Sequence, residues 1–303
     1  MGFRITDRCN SNCSYCYLKN KNSDELNTDE IKKLINEMAD LGVQRIGFMG
    51  GEALLRDDFG EIVDYANSKD MHTSLTSNCY LVHSKIDIIK KLDCLILSFD
   101  GRKKSHDKNR GRGSFEKVMK AIKVVSKENT PLITISVLSE DSVNDIDYVL
   151  NTAKKYGFQC HFNILSKKHL NKNLIRKAII KLMRRKMEGY PITLSSKTLS
   201  YLLYVYENYN PRLDTNQKYI PNCFAGKLMC NIEPSGMLRA CNIPPMSEEC
   251  VDAKKLGFKN AFEKLKIPNC NKCRCSAYAE YNNMFSLNPE TIFKWSTLLK
   301  IFR

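Results

Sequence analysis

The stretch CNSNCSYCY, residues 9–17, places Cys9, Cys13 and Cys16 in a C-x3-C-x2-C run with Tyr15 just before the third cysteine. Two short spacers let three thiolates curl around one inorganic centre, and soft thiolates select iron–sulfur clusters or zinc. A cubane cluster has four irons, so three cysteines leave one iron open to a small molecule. Structural zinc sites close with four ligands. Here the next cysteine is Cys79 and the first histidine is His72, so no fourth ligand lies nearby in sequence. Thirteen cysteines is an odd number and only eight residues precede Cys9. A disulfide framework and a targeting peptide are therefore not expected.

Outward from this stretch, apolar strands alternate with amphipathic helices. Residues 3–6 (FRIT) lead into the cysteine loop as a short buried strand. Residues 28–41 read as a helix capped by Thr28, with Asp29 and Glu30 at its positive start. Ile31, Leu34, Ile35, Met38 and Leu41 fall on one face, and Gly42 ends the helix. Further strands are expected at 45–49, 72–76, 94–101, 131–138 and 158–165. The helices between them are expected near 58–70, 83–92, from about Ser114, and at 142–156. Six strands alternating with helices predict an α/β fold with a parallel sheet covered on both faces and right-handed crossovers. Gly50, Gly51 and Glu52 close the second strand. The glycines permit a close backbone approach, and Glu52 is placed to accept from an ammonium group.

Residues 166–222 change character. A basic amphipathic helix carries nine Lys and Arg between 167 and 186, and a second helix follows at 196–209. A Pro- and Asn-containing stretch up to residue 222 then marks a boundary. Beyond it, NIEPSGMLRAC (231–241) reads as a β-hairpin turning on Pro234-Ser235-Gly236. With C-x2-C at Cys270 and Cys273, it can build a four-thiolate site for zinc or a second cluster. Cys79, Cys94 and Cys160 lie in or beside strands and read as core thiols. The tail from 289 to 303 reads as a short apolar helix carrying the single tryptophan, Trp295.

The triplet with its aromatic, the GGE turn one βα unit later, SFDG with HDKNRG at 98–101 and 106–111, and the C-terminal cysteines occur in the order found in one family. On them the chain resembles the radical S-adenosylmethionine (SAM) enzymes, in the subgroup with a C-terminal SPASM or twitch auxiliary iron–sulfur domain. Ala53 stands where that family usually has proline. The resemblance implies a partial (β/α)6 TIM-type barrel over 1–165, a helical linker over 166–222 and a small β-hairpin/α auxiliary domain with its terminal helix over 223–303. It implies a SAM-binding [4Fe-4S] cluster on Cys9, Cys13 and Cys16, with SAM bound by Gly50, Gly51, Glu52 and Tyr15. Ser98 and Arg110 become candidates for SAM ribose or carboxylate contacts. Ser77, Asn78, Ser136 and Asn163 are candidates from strand ends. An auxiliary [4Fe-4S] cluster is implied on Cys223, Cys241, Cys270 and Cys273, with Cys230 or Cys275 able to replace one of them. The absence of cysteines after Cys275 favours the single-cluster twitch form. His106 and Asp107 read as loop-bracing residues, with acid/base work as the alternative.

The implied activity is reductive SAM cleavage to a 5′-deoxyadenosyl radical that abstracts a substrate hydrogen, an oxidoreductase-like reaction. The substrate is expected to be a peptide or protein that is oxidised or cross-linked. The alternatives are a small-molecule sugar or alcohol dehydrogenase and a non-catalytic metal-binding nucleic-acid module. The implied electron donor is a flavodoxin or ferredoxin. The net charge of +15 suits anionic partners, and it equally describes a lysine-rich solvated surface, so no nucleic-acid partner is expected. Reduced, unsignalled thiols point to the cytoplasm, and no apolar run reaches the length of a membrane span.

Overall fold

The computed structural model describes residues 1–16, 18, 23–164, 171–207, 222–241, 249–266, 273 and 275–293. Cys270, the second half of the expected tail helix with Trp295, and most of the Pro/Asn stretch before 222 lie outside them. The described strands are β1 (Gly2–Arg4), β2 (Arg45–Met49), β3 (His72–Ser77), β4 (Cys94–Ser98), β5 (Leu132–Leu138), β6 (Gln159–Ile164), β7 (Asn231–Ile232), β8 (Met237–Arg239) and β9 (Val251–Asp252). The helices are α1 (Thr28–Asp40), α2 (Phe59–Asn67), α3 (Ile86–Ile89), α4 (Lys103–Arg110), α5 (Ser114–Val125), α6 (Ile146–Tyr156), α7 (Lys172–Met187), α8 (Ser196–Glu207), α9 (Ala253–Leu256), α10 (Phe258–Glu263) and α11 (Ser276–Phe285). The first six strands alternate with helices in the β/α order of a partial barrel, as expected.

The chain divides into two compact units, each discontinuous in sequence. One comprises 1–97, 117–132 and 224–269; the other comprises 98–116, 133–223 and 270–303. In the first, β1 to β4 pair in parallel, Phe3 opposite Phe48 and Leu75 opposite Leu95. The free edge of β1 takes β7 in parallel, and β8 and β9 follow antiparallel. The C-terminal hairpin thus continues the β1 sheet and covers an edge that would otherwise present unpaired backbone groups. Its turn closes with Gly236 N–H donating to Glu233 O at 2.9 Å, Gly236 holding φ +84°.

Helix α1 buries Ile31, Leu34, Ile35 and Met38. Its cap is Asn27, one residue before the expected Thr28. Asn27 Oδ1 accepts from Glu30 N–H while the Glu30 carboxylate accepts from Asn27 N–H, both at 2.9 Å. The Thr28 hydroxyl is instead spent on Asp58 at 2.6 Å. Phe48 packs edge-on against Phe59 at 5.5 Å between ring centres.

In the second unit β5 and β6 pair in parallel, Ile133 opposite Gln159 and Leu138 opposite Ile164. Phe99, His106, Phe115 and Tyr148 form an aromatic cluster with ring centres 6.0–6.5 Å apart. Helix α7 buries Ile175, Ala178, Ile179 and Leu182. Several of its bases are ion-paired, Lys181 and Arg185 to Asp147 and Arg184 to Glu188. Among the described residues no helix is long and apolar enough to cross a membrane.

Candidate active site

Strand β1 runs directly into the cysteine loop, and the end of β2 holds the base of that loop. Ile5 N–H donates to Met49 O at 2.9 Å, Gly51 N–H to Thr6 O at 2.9 Å and Glu52 N–H to Arg8 O at 2.8 Å. A β-carbon on Gly50 would stand 2.8 Å from Thr6 O, and one on Gly51 would stand 2.6 Å from Asp7 O and nearer still to Arg8 O. The two glycines therefore admit the chain's own backbone, carrying the first ligand residue, as well as any bound molecule.

Arg56 pins both ends of the loop. Its Nη1 donates to Ile5 O and to Leu26 O, each at 3.1 Å. Its other nitrogens form a two-point ion pair with Asp58 at 2.9 and 2.6 Å. Arg56 is buried. Glu25, at the far end of the loop, accepts from Thr6 Oγ1 at 2.5 Å and from Asp7 N–H at 3.2 Å. Neither Arg56 nor Glu25 stands in a recognisable motif; an Arg two residues before an Asp gives no hint that its partners are backbone carbonyls 30 and 51 residues away.

On this base sit the three thiols. Cys9 is exposed and Cys13 and Cys16 are half-exposed, whereas Cys79, Cys94, Cys160 and Cys230 are buried. Cys16 N–H donates to Cys13 O at 3.2 Å, closing a turn that holds Tyr15 half-buried. Ser11 Oγ lies 3.4 Å from Cys13 Sγ, and Asn78 Nδ2 lies 3.6 Å from Cys9 Sγ. Accessible thiols on one short loop, two of them met by polar hydrogen-bonding groups, are a donor set that fits a thiolate-bound cluster. Cys94, Cys160 and Cys230 are instead buried in the core, where burial pushes their thiols up to about 12.

Glu52 is wholly buried. Its carboxylate accepts from Asn78 N–H at 2.7 Å, Ser77 Oγ at 3.0 Å and Leu54 N–H at 3.3 Å. Burial pushes its carboxyl upward against these hydrogen bonds. It ties the end of β2 to the end of β3. Cys79, just beyond, is held at φ +81° with its N–H on Ser77 Oγ at 3.1 Å.

In the second unit Ser98 is buried at the end of β4, and Asp100 is the hub beyond it. Arg110 Nε and Nη2 each donate to the Asp100 carboxylate at 2.9 Å, Asn109 Nδ2 at 3.1 Å and Val137 N–H at 2.9 Å. Burial alone would raise the Asp100 carboxyl; the Arg110 charge and hydrogen bonds outweigh it and hold the group below the usual carboxylate range. The Asp100 N–H donates to His106 Nδ1 at 3.1 Å, and burial lowers His106 to about 4. Asp107 accepts from Gly113 N–H, Ser114 Oγ and Phe115 N–H, capping α5. Ser136 Oγ donates to Phe99 O at 2.5 Å. Asp100, Arg110, Asn109, His106, Asp107 and Ser136 thus brace the unit through these hydrogen bonds.

Of the C-terminal thiols, Cys241 follows β8 in the first unit, while Cys223, Cys273 and Cys275 lie in the second, all half-exposed. Cys230 sits buried beside Met1, its Sγ 3.2 Å from the Met1 sulfur. Tyr201 Oη accepts from Cys273 N–H at 2.8 Å, and Cys275 caps α11. That helix is moored by Ser276 to His161 Nε2 at 3.0 Å and to Asn163, and by Glu280 to Ser195 N–H and Oγ at 2.9 Å. Among the described residues no three Cys, His, Asp or Glu side chains converge closely enough to hold one metal ion.

Residues 3–153 match the Radical SAM superfamily. The chain is 30% identical over 158 residues to Fe-coproporphyrin III synthase of Methanosarcina barkeri, covering 49% of this chain and 39% of that protein. It is 29% identical over 160 residues to the sporulation killing factor maturation protein SkfB of Bacillus subtilis, covering 51% and 39%. The matches thus span well under half the length of these two curated relatives. Its fold resembles that of Streptococcus suis SuiB, with a TM-score of 0.71 at 15% identity over 86% of this chain and 64% of SuiB.

Proposed function

Because the chain belongs to the Radical SAM superfamily, whose cofactors are a [4Fe-4S] cluster and SAM, we propose that it is an enzyme modifying a peptide or protein side chain by hydrogen abstraction. The observation that carries the radical reading is the set of three accessible thiols, Cys9, Cys13 and Cys16, on a loop braced by Gly51, Glu52 and Arg56 inside the matched region. When bound, the cluster and SAM supply a 5′-deoxyadenosyl radical that removes a hydrogen atom from the substrate.

The residues divide the work. Cys9, Cys13 and Cys16 hold the cluster. Gly50, Gly51 and Glu52 keep residues 6–8 in place, and Tyr15, Ser77 and Asn78 flank the loop. Arg110, held by Asp100, shapes the second unit. Ser98 and Ser136 line the strand ends there. Cys223, Cys241, Cys270 and Cys273 hold the auxiliary cluster of the SPASM/twitch form, with Cys230 or Cys275 as the substitute; the burial of Cys230 beside Met1 supports Cys275 of the two. A flavodoxin or ferredoxin delivers the electron, in the cytoplasm.

Two relatives support a peptide substrate: SkfB is named for maturation of a killing factor, and SuiB has been solved bound to its precursor peptide SuiA. The small-molecule alternative is favoured by the match to a coproporphyrin synthase.

The test is iron and sulfide content after anaerobic reconstitution, with a Cys9/Cys13/Cys16→Ala variant alongside, followed by SAM cleavage under reductant. About eight irons in the wild type and about four in the variant are expected for two cysteine-bound cubanes. Full iron in the variant, or no 5′-deoxyadenosine released by the wild type, overturns the radical reading. Acceleration of SAM cleavage by peptides encoded beside the gene supports the peptide class, and acceleration by porphyrins alone replaces it with the small-molecule class.

A further inference from the structure

We propose that Asn78 is a positioning residue that donates a hydrogen bond to the Cys9 thiolate and so raises the reduction potential of the cluster on that loop. The inference rests on the cluster assignment made above for Cys9, Cys13 and Cys16.

The side-chain amide and the backbone N–H of Asn78 are all committed, and together the commitments aim its amide. Oδ1 accepts from Tyr80 N–H at 3.1 Å. Reversing the amide would set two N–H groups against each other, so Nδ2 faces the cysteine loop. One Nδ2 hydrogen has Asn10 Oδ1 as acceptor at 2.8 Å, and the other has Cys9 Sγ at 3.6 Å. The backbone N–H is held by Glu52 Oε2 at 2.7 Å, and Glu52 N–H in turn holds Arg8 O at 2.8 Å.

A closed ring results: Arg8 to Glu52, Glu52 to Asn78, and Asn78 back to Cys9 and Asn10. Cys9 is thereby gripped from the ends of both β2 and β3. The chain accepts a left-handed backbone at Cys79, φ +81°, immediately after the donor. Such conformations persist where the surroundings over-determine them.

An N–H aimed at a ligating sulfur stabilises the more negative, reduced state of a cluster, because the bond strengthens as charge on sulfur grows. Ser11 Oγ at 3.4 Å from Cys13 Sγ is a second such contact on the same loop. Its hydroxyl can act as donor or acceptor, whereas Asn78 Nδ2 is a donor only.

The test is the midpoint potential of the reconstituted protein, read by electron paramagnetic resonance during a redox titration, for the wild type and Asn78→Asp. Aspartate keeps the volume and the acceptor for Tyr80 but replaces the donor. Expected is unchanged iron content with reduction disfavoured about tenfold, ~59 mV for one electron. An unchanged potential at full iron loading overturns the proposal. If Asn78→Asp fails to load iron, pulsed resonance on wild-type protein carrying side-chain 15N-labelled asparagine decides. A nitrogen coupling that changes with the label supports the proposal, and its absence overturns it. Full retention of iron by Cys9→Ala would instead defeat the underlying cluster assignment.

Discussion

Arg110 and Asp100 form a buried two-point ion pair, both bonds 2.9 Å long, and Asn109 and the Val137 N–H also donate to the carboxylate. A buried charge that loses its ion-pair partner costs about 3–5 kcal/mol. Arg110→Ala is expected to destabilise the protein by that amount in urea unfolding. Arg110→Ala/Asp100→Ala should cost less than the sum of the two single variants. Strict additivity would remove the pair from the framework of this unit.

The same cluster makes stability depend on pH through His106. Its folded form titrates near 4 because burial opposes its charging, against 6.5 for the free side chain. Above pH 6.5 both folded and unfolded histidine are neutral and the contribution is fully present. As pH falls from 6.5 towards about 4, only the unfolded chain takes up the proton. Stability on the order of 3 kcal/mol is lost across that window. His106→Gln retains an acceptor for Asp100 N–H without titrating. Its urea midpoint should fall less than that of the wild type between pH 7 and pH 5; equal falls would show that His106 is not the titrating group.

Gly51→Ala and Gly113→Ala separate crowding from backbone conformation. The first places a methyl group into the carbonyls of Asp7 and Arg8 and must shift the base of the cysteine loop. It is expected to cost about 1–3 kcal/mol and to lower iron incorporation. Gly113 has open space and only a positive φ of +83° to overcome, at about 1–2 kcal/mol, with iron incorporation unaffected. Equal iron content in both variants would refute the role given to Gly51.

Arg56 ties residues 5 and 26 across the cysteine loop. Arg56→Ala leaves two buried carbonyls and Asp58 short of a partner, so iron should leave faster in a chelator challenge. Arg56→Lys keeps the charge but not the fork, and should fall between the two. A wild-type release rate in Arg56→Ala would show that the loop holds itself.

Buried thiols give a control. Cys94, Cys160 and Cys230 are pushed up to about 12 by burial, so few are thiolates near neutrality. Native protein at pH 8 should leave all three unalkylated, and Cys160→Ala should retain wild-type iron. Iron loss in that variant without loss of fold would contradict its assignment as a core thiol.

By itself the sequence determined the β/α order, the amphipathic face of α1, the thiol triplet and the hairpin turn at Gly236. These are local: apolar spacing follows the helix and strand periods, two short spacers confine three thiols to one loop, and a turn needs a residue that tolerates positive φ. It also carried enough ordered motifs to point to the superfamily. Tertiary structure alone decided what the polar residues near those motifs do. Glu52 is braced by Ser77 and Asn78, Arg110 is held by Asp100, the Thr28 hydroxyl goes to Asp58 and leaves the cap to Asn27, and Arg56 reaches Ile5 and Leu26. A buried polar group must find partners wherever the fold brings them, and those partners lie too far along the chain for spacing to reveal.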